Sequence, residues 1–111
     1  MSAGPNDEMA RLRQRFVERC DAELSLIETL LIAPTDGMTS TDRSDVVAIL
    51  HRMCGMAGTF GFGTLSERAG ELERALREAG GADDFASTLK MTIPLLRLAL
   101  QEDSVVQGAD A

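Results

Sequence analysis

The chain has 111 residues, 44% of them hydrophobic, with four Phe as its only aromatics. That length fits a single domain with a modest core, and the hydrophobic share excludes a wholly disordered chain. A net charge of −7 at pH 7 argues against nucleic acid and against an anionic membrane surface as partners.

No stretch approaches the ~20 apolar residues of a membrane span. The first residues carry no apolar core of a secretory signal. Cys20 and Cys54 fall inside helical patterns, without the spacing of a disulfide framework. Reduced thiols and a cytoplasmic location are the expectation.

Residues 1–6 read as a flexible lead-in. Asn6 or Asp7 is the expected cap of helix one, with Asp7 and Glu8 complementing its dipole. Met9, Leu12, Phe16, Cys20, Leu24, Ile27 and Leu31 step by three or four, which is an amphipathic helix. Pro34 is expected to end it, and residues 33–41 form the first loop. Ser40 or Thr41 is the expected cap of helix two, which runs to about Thr59. Its apolar side holds Val46, Ile49, Leu50, Met53, Ala57 and Phe60.

Gly61 and Gly63 mark the next turn. Helix three carries Phe62, Leu65, Ala69, Leu72, Leu76 and Ala79 on one stripe and stops at Gly80 and Gly81. Asp83 or Asp84 caps helix four, whose core stripe is Phe85, Leu89, Ile93, Leu96 and Leu100. Pro94 is expected to kink this helix. The alternative is a break, with Thr92 capping a restarted helix. Residues 103–111 read as a flexible polar tail. The fold expected for residues 7–102 is all-α, an antiparallel up-down four-helix bundle.

His51 is the only histidine, and helical geometry turns it away from the apolar side of helix two. Ser44, Val47, Ala48, Cys54, Gly55 and Gly58 share its face. A mid-helix glycine costs roughly 1 kcal/mol against alanine, so two near one exposed ring suggest close approach by another molecule. One histidine with Cys54 supplies only two metal ligands, so no metal site is expected. No nucleophile–base–acid spacing is visible either. A neutral, solvent-facing imidazole is nevertheless a nucleophile in its own right. It can take a phosphoryl group from a partner that brings its own metal.

The stretch HRMCGMAGTFGFGTLSERAGELERAL resembles the signature of histidine-containing phosphotransfer (HPt) domains, roughly H-x-L-K-G-x-A-x-x-x-G followed by Leu, Ala and Leu-Glu. His51, Gly55, Ala57 and Gly61 match, and Leu65, Ala69, Leu72 and Glu73 continue the match into helix three. Met53 stands where leucine is usual, and Cys54 where lysine is usual. The resemblance implies that His51 is the phosphoacceptor of a phosphorelay intermediate. Such a protein is a phosphocarrier and not an enzyme with turnover of its own.

The partners implied are response-regulator receiver domains and a hybrid histidine kinase. The chain would need no cofactor, with Mg²⁺ held by the receiver. Arg52 and Arg43 are the cations within reach of a phosphoryl group in place of the usual lysine. The other arginines considered (Arg13, Arg19, Arg68, Arg74 and Arg77) read as solvated charges beside acidic neighbours. Small size favours a monomer. Two alternatives stay open. One is a docking module of the same shape that no longer transfers phosphate, prompted by Cys54. The other is an unrelated helical adaptor, which would show a large exposed apolar patch and concentration-dependent association.

Overall fold

In the computed structural model, residues 5–32 and 37–107 are described. They form four helices: α1 (Pro5–Ile32), α2 (Ser40–Thr59), α3 (Gly63–Arg77) and α4 (Ala82–Gln107). Pro34 and residues 1–4 and 108–111 lie outside the described residues. Helix α2 packs most extensively on α3, α3 on α4 and α4 on α1, with a lighter α1–α2 contact closing the ring. Links of three and four residues, 60–62 and 78–81, force antiparallel neighbours.

The expected stripes supply most of the core. Phe16, Cys20, Leu24 and Ile27 of α1 are buried with Val46, Ile49, Leu50, Met53 and Ala57 of α2. Helix α3 adds Leu65, Ala69, Leu72 and Leu76, and all five expected residues of α4 are buried. Met9 and Leu12 are exposed, because α1 outruns its neighbours at that end. Burial pushes the Cys20 thiol up to about 12, with Glu23 adding to the effect, so this thiol is inert at neutral pH.

The helix ends differ from the sequence reading. Helix α1 already includes Asn6 and Asp7, so neither caps it. Thr39, not Ser40 or Thr41, caps α2 through a reciprocal box. Its hydroxyl accepts from the Asp42 N–H at 3.0 Å, and its own N–H donates to Asp42 Oδ2 at 3.0 Å. Asp83 and Asp84 lie within α4, and the Asp84 carboxylate reaches back to the Gly80 N–H at 2.8 Å. Thr92 starts no new helix. Its hydroxyl donates to the Thr88 carbonyl at 2.7 Å, and α4 runs unbroken through Pro94.

The largest correction concerns residues 103–107, which are helical and not tail. Asp103 and Ser104 are buried. Ser104 donates to the Leu100 carbonyl at 2.7 Å. Asp103 Oδ2 accepts from the Leu65 N–H at 2.8 Å. Helix α3 has no side-chain cap of its own, so α4 supplies one from across the bundle. Burying a carboxylate is tolerated here because it meets the otherwise free Leu65 N–H and the positive end of a helix.

The α2–α3 turn closes in a Schellman arrangement. Gly61 takes φ +80°, Phe62 N–H donates to the Ala57 carbonyl at 2.8 Å, and Gly61 N–H to Gly58 at 3.3 Å. Gln107 Nε2 donates to the Gly61 carbonyl at 2.9 Å. Phe16 stacks against Phe60 and edge-on to Phe62, both at 5.3 Å between centroids. At the middle of the α1–α4 seam, Arg97 makes a bidentate pair with Glu28 (3.0 and 2.7 Å) and reaches Asp21 at 2.7 Å. The Arg97 hydrogen bonds hold the Glu28 carboxyl below its ordinary value.

Candidate functional site

The site is built on the α2–α3 seam. Contacts step backwards along α3 as they step forwards along α2. His51 meets Glu73, Cys54 meets Gly70, and Gly58 meets Ser66. Leu50 and Leu72 are buried immediately before His51 and Glu73. Each polar residue is therefore carried to the outer lip of the seam by the apolar neighbour that anchors its helix.

The His51 side chain is 72% exposed, while that of Glu73 is only 13% exposed. His51 Nδ1 lies 3.1 Å from both carboxylate oxygens of Glu73. A carboxylate only accepts, so Nδ1 carries the proton and donates. The ring is thereby held in one tautomer, with Nε2 as the lone-pair nitrogen. Glu73 is held in turn by Arg77, whose Nε and Nη2 donate to Oε2 at 3.0 and 2.8 Å.

The Arg77 hydrogen bonds lower the Glu73 pKa below its ordinary value; the His51 hydrogen bond acts the same way and partial burial opposes both. The sign follows from a depressed carboxylate. The favourable contribution is complete above the ordinary unfolded value of about 4.3 and is lost as pH falls through the lowered folded one. Glu73 is therefore a carboxylate throughout the neutral range.

The expected site residues fall into three groups. Ser44, Val47, Ala48 and Arg43 line an open groove of about 570 Å³ that begins one turn before His51. Arg77 forms part of its far wall. Arg43 is tied to the Met38 carbonyl at 2.9 Å and so is anchored away from the ring. Gly55 and Arg52 lie on the open side. A Cβ built on Gly55 meets nothing within 4 Å. Arg52 is exposed and has no ion-pair partner among the described residues.

Cys54 is half-buried against α3, while Gly58 is exposed at the edge of the same seam. The Cys54 thiol sits 3.7 Å from Ser66 Oγ and 3.2 Å from where a Gly70 side chain would begin. A Gly58 Cβ would touch Ser66 Oγ at 3.5 Å. Arg13 donates to the Phe60 carbonyl at 3.3 Å, at the far end of α2, and Arg19 pairs with Glu23.

Sequence reasoning missed the roles of Glu73 and Arg77. Their i,i+4 spacing was visible, but the partner of Glu73 depends on the register between two helices. No group of three His, Cys, Asp or Glu among the described residues could hold a metal ion. No helix among them is long and apolar enough to cross a membrane.

These features define a four-helix bundle that presents one solvent-facing, carboxylate-oriented imidazole. A family model described as the Hpt domain matches residues 11–105. The chain belongs to the Hpt domain family, whose members are phosphocarriers acting on histidine in phosphorelays with receiver domains. The reading as an unrelated helical adaptor is set aside by this match. No curated protein and no solved structure matched the chain.

Two substitutions probe the geometry. Glu73→Ala frees the ring to turn and to change tautomer, and is expected to slow phosphoryl uptake about tenfold. Glu73→Gln, which can still accept from Nδ1, is expected to fall between it and wild type. Equal rates in all three, measured by rapid-quench transfer, would show that Glu73 does not orient the nucleophile. Gly55→Ala meets no obstacle within the protein, so it is expected to stabilise α2 by roughly 0.4–1 kcal/mol. It is also expected to slow transfer several-fold, because the added methyl stands in open space one turn from the His51 ring. Unchanged kinetics in that variant would count against close approach at Gly55.

Proposed function

We propose that this protein accepts a phosphoryl group on His51 Nε2 from the phospho-aspartate of a receiver domain, and passes it to a second receiver. The observation that carries this reading is the exposed ring with Nδ1 engaged by Glu73, which leaves Nε2 as the nucleophile. The Nε2 lone pair attacks phosphorus as the bond to the aspartate oxygen breaks, and the carboxylate leaves with the electron pair. The proton stays on Nδ1. The ring becomes cationic, and the Glu73 carboxylate beside it balances that charge.

The receiver supplies Mg²⁺ and the charge neutralisation at phosphorus. This chain supplies the nucleophile, its orientation and the docking face. Docking spreads from Gly55 across His51 to the groove at Val47 and Ala48. Arg52, adjacent to His51, serves the phosphoryl oxygens in place of the family's usual lysine. The docking-only alternative is favoured by one observation, the seam-facing thiol at position 54.

Mixing the protein with a labelled phospho-receiver tests the proposal. Label moving onto this chain, acid-labile and base-stable, and then onto a second receiver, supports the relay. Binding without transfer selects the docking module instead.

A further inference from the structure

Helix α2 starts earlier than α3 can follow. The seam pairs His51 with Glu73, Cys54 with Gly70 and Gly58 with Ser66. Continued towards the start of α2, that register sets Val47 opposite Arg77, the last residue of α3. Residues 40–46 therefore overhang by roughly two turns, and the space beside them is the groove of about 570 Å³. Binding clefts commonly hold ~300–1,000 Å³. The apolar part of its lining comes from Val47, Ala48, Leu76, Ala79 and Phe85. Two arginines, Arg43 and Arg77, line it as well, and none of the chain's 18 acidic residues does. In a chain of net charge −7, the groove is a local reversal of sign.

Both arginines are held by their own chain and still have donors to spare. Arg43 Nη1 donates to the Met38 carbonyl at 2.9 Å. Arg77 gives Nε and Nη2 to Glu73 Oε2, and its side chain is 59% exposed. Nε and Nη2 of Arg43, and Nη1 of Arg77, have no partner among the described residues. A guanidinium already fixed at one edge loses less freedom on taking a second group than an unanchored one does.

We propose that this groove seats a segment of the receiver domain that carries an apolar side chain beside a carboxylate, the carboxylate being held by the arginines of the walls. The proposal rests on the reading of His51 as the phosphoacceptor. Val47 and Ala48 lie one turn before His51 on its own side of α2, so a receiver whose phospho-aspartate reaches Nε2 also reaches the mouth of the groove. Arg77 is then shared. One edge of its guanidinium holds the carboxylate that orients the nucleophile, and the other meets the docked partner.

The test is the dissociation constant of receiver domains from the same cell, titrated onto the His51→Gln chain so that no phosphoryl group moves. Label transfer to wild type is measured alongside. Added to that parent, Arg43→Ala and Arg77→Ala are each expected to weaken binding about tenfold, the loss of a charge-assisted hydrogen bond. Ala48→Glu puts a like-charged group into the groove and should weaken binding more than Ala48→Gln, which has the same size. Ala48 is exposed on α2, so both variants should keep the fold. Arg68→Ala removes the same charge from the opposite side of α3, nine residues from Arg77, and should leave the constant unchanged. Groove variants that bind like the parent, while wild type takes label from the same receiver, overturn the groove and leave the phosphoacceptor reading standing. Equal losses for Ala48→Glu and Ala48→Gln, with none for the arginine variants, overturn the carboxylate. Self-association that Ala48→Glu abolishes would give the groove to a second copy and overturn the receiver. A chain that neither binds nor takes label from any receiver fails as a phosphocarrier, and the groove falls with it.

Discussion

His51→Gln is expected to abolish the acid-labile label altogether while leaving the fold untouched. The side chain is 72% exposed, and surface substitutions of this kind usually move stability within about 0.5 kcal/mol. Glutamine can still hydrogen-bond Glu73 through its amide, so the α2–α3 seam should keep its geometry. What it lacks is a basic nitrogen lone pair, and no other nucleophile shares the position. Cys54 is turned into the seam against Ser66, and Ser66 itself donates to the Cys54 carbonyl at 2.9 Å. Matching circular dichroism and melting curves for variant and wild type would assign the loss to chemistry. Residual label on the variant, with the stability profile of a thiol or hydroxyl ester, would move the acceptor away from His51.

The second large effect is on stability. Asp103→Ala is expected to lower the unfolding free energy by roughly 1–3 kcal/mol. For a domain of this size that is a fall in Tm on the order of 5–15 °C. The cost has two parts. The Leu65 N–H, held at 2.8 Å, loses its buried acceptor. The positive end of α3 also loses the negative charge that complements it. Asp103→Asn keeps an acceptor of the same shape and removes only the charge, so its loss should be about half. His51 is eight residues along the seam from Leu65, about 12 Å in helix length. Transfer measured well below Tm should therefore be unchanged in both variants. A melting temperature within ~1 °C of wild type for Asp103→Ala would show that α3 needs no cap from α4.

The four helices and their buried stripes were legible because each follows a period of 3.6 with Leu, Ile, Phe and Ala on the inner face. The exposure of His51 followed from the same periodicity. Features that depend on how two helices meet were not legible. Asp103 sits in a polar run that reads as solvent-exposed, and nothing local reveals that a helix start lies across from it. Glu73 and Arg77 resemble any i,i+4 surface pair until α3 is laid against α2. Cys54 belongs by angle to the His51 face, yet close packing of α3 claims that edge of α2, whereas Gly58 stays exposed as the same angle implies. Caps moved by a residue or two because Thr39 and Asp42 satisfy each other, which Ser40 and Thr41 could not do as well.

Cys54, which stands where lysine is usual in the family pattern, is fitted across the seam to Gly70. The thiol fits because α3 presents no side chain opposite it, 3.2 Å from where one would start. A bulkier residue at 54 must turn outwards towards the lip of the seam, and an alanine at 70 needs the thiol to give by a few tenths of an ångström. A side chain at either position is thus felt at the other. The thiol at 54 thus serves the fit of α2 against α3 and is turned away from the open face that His51 presents.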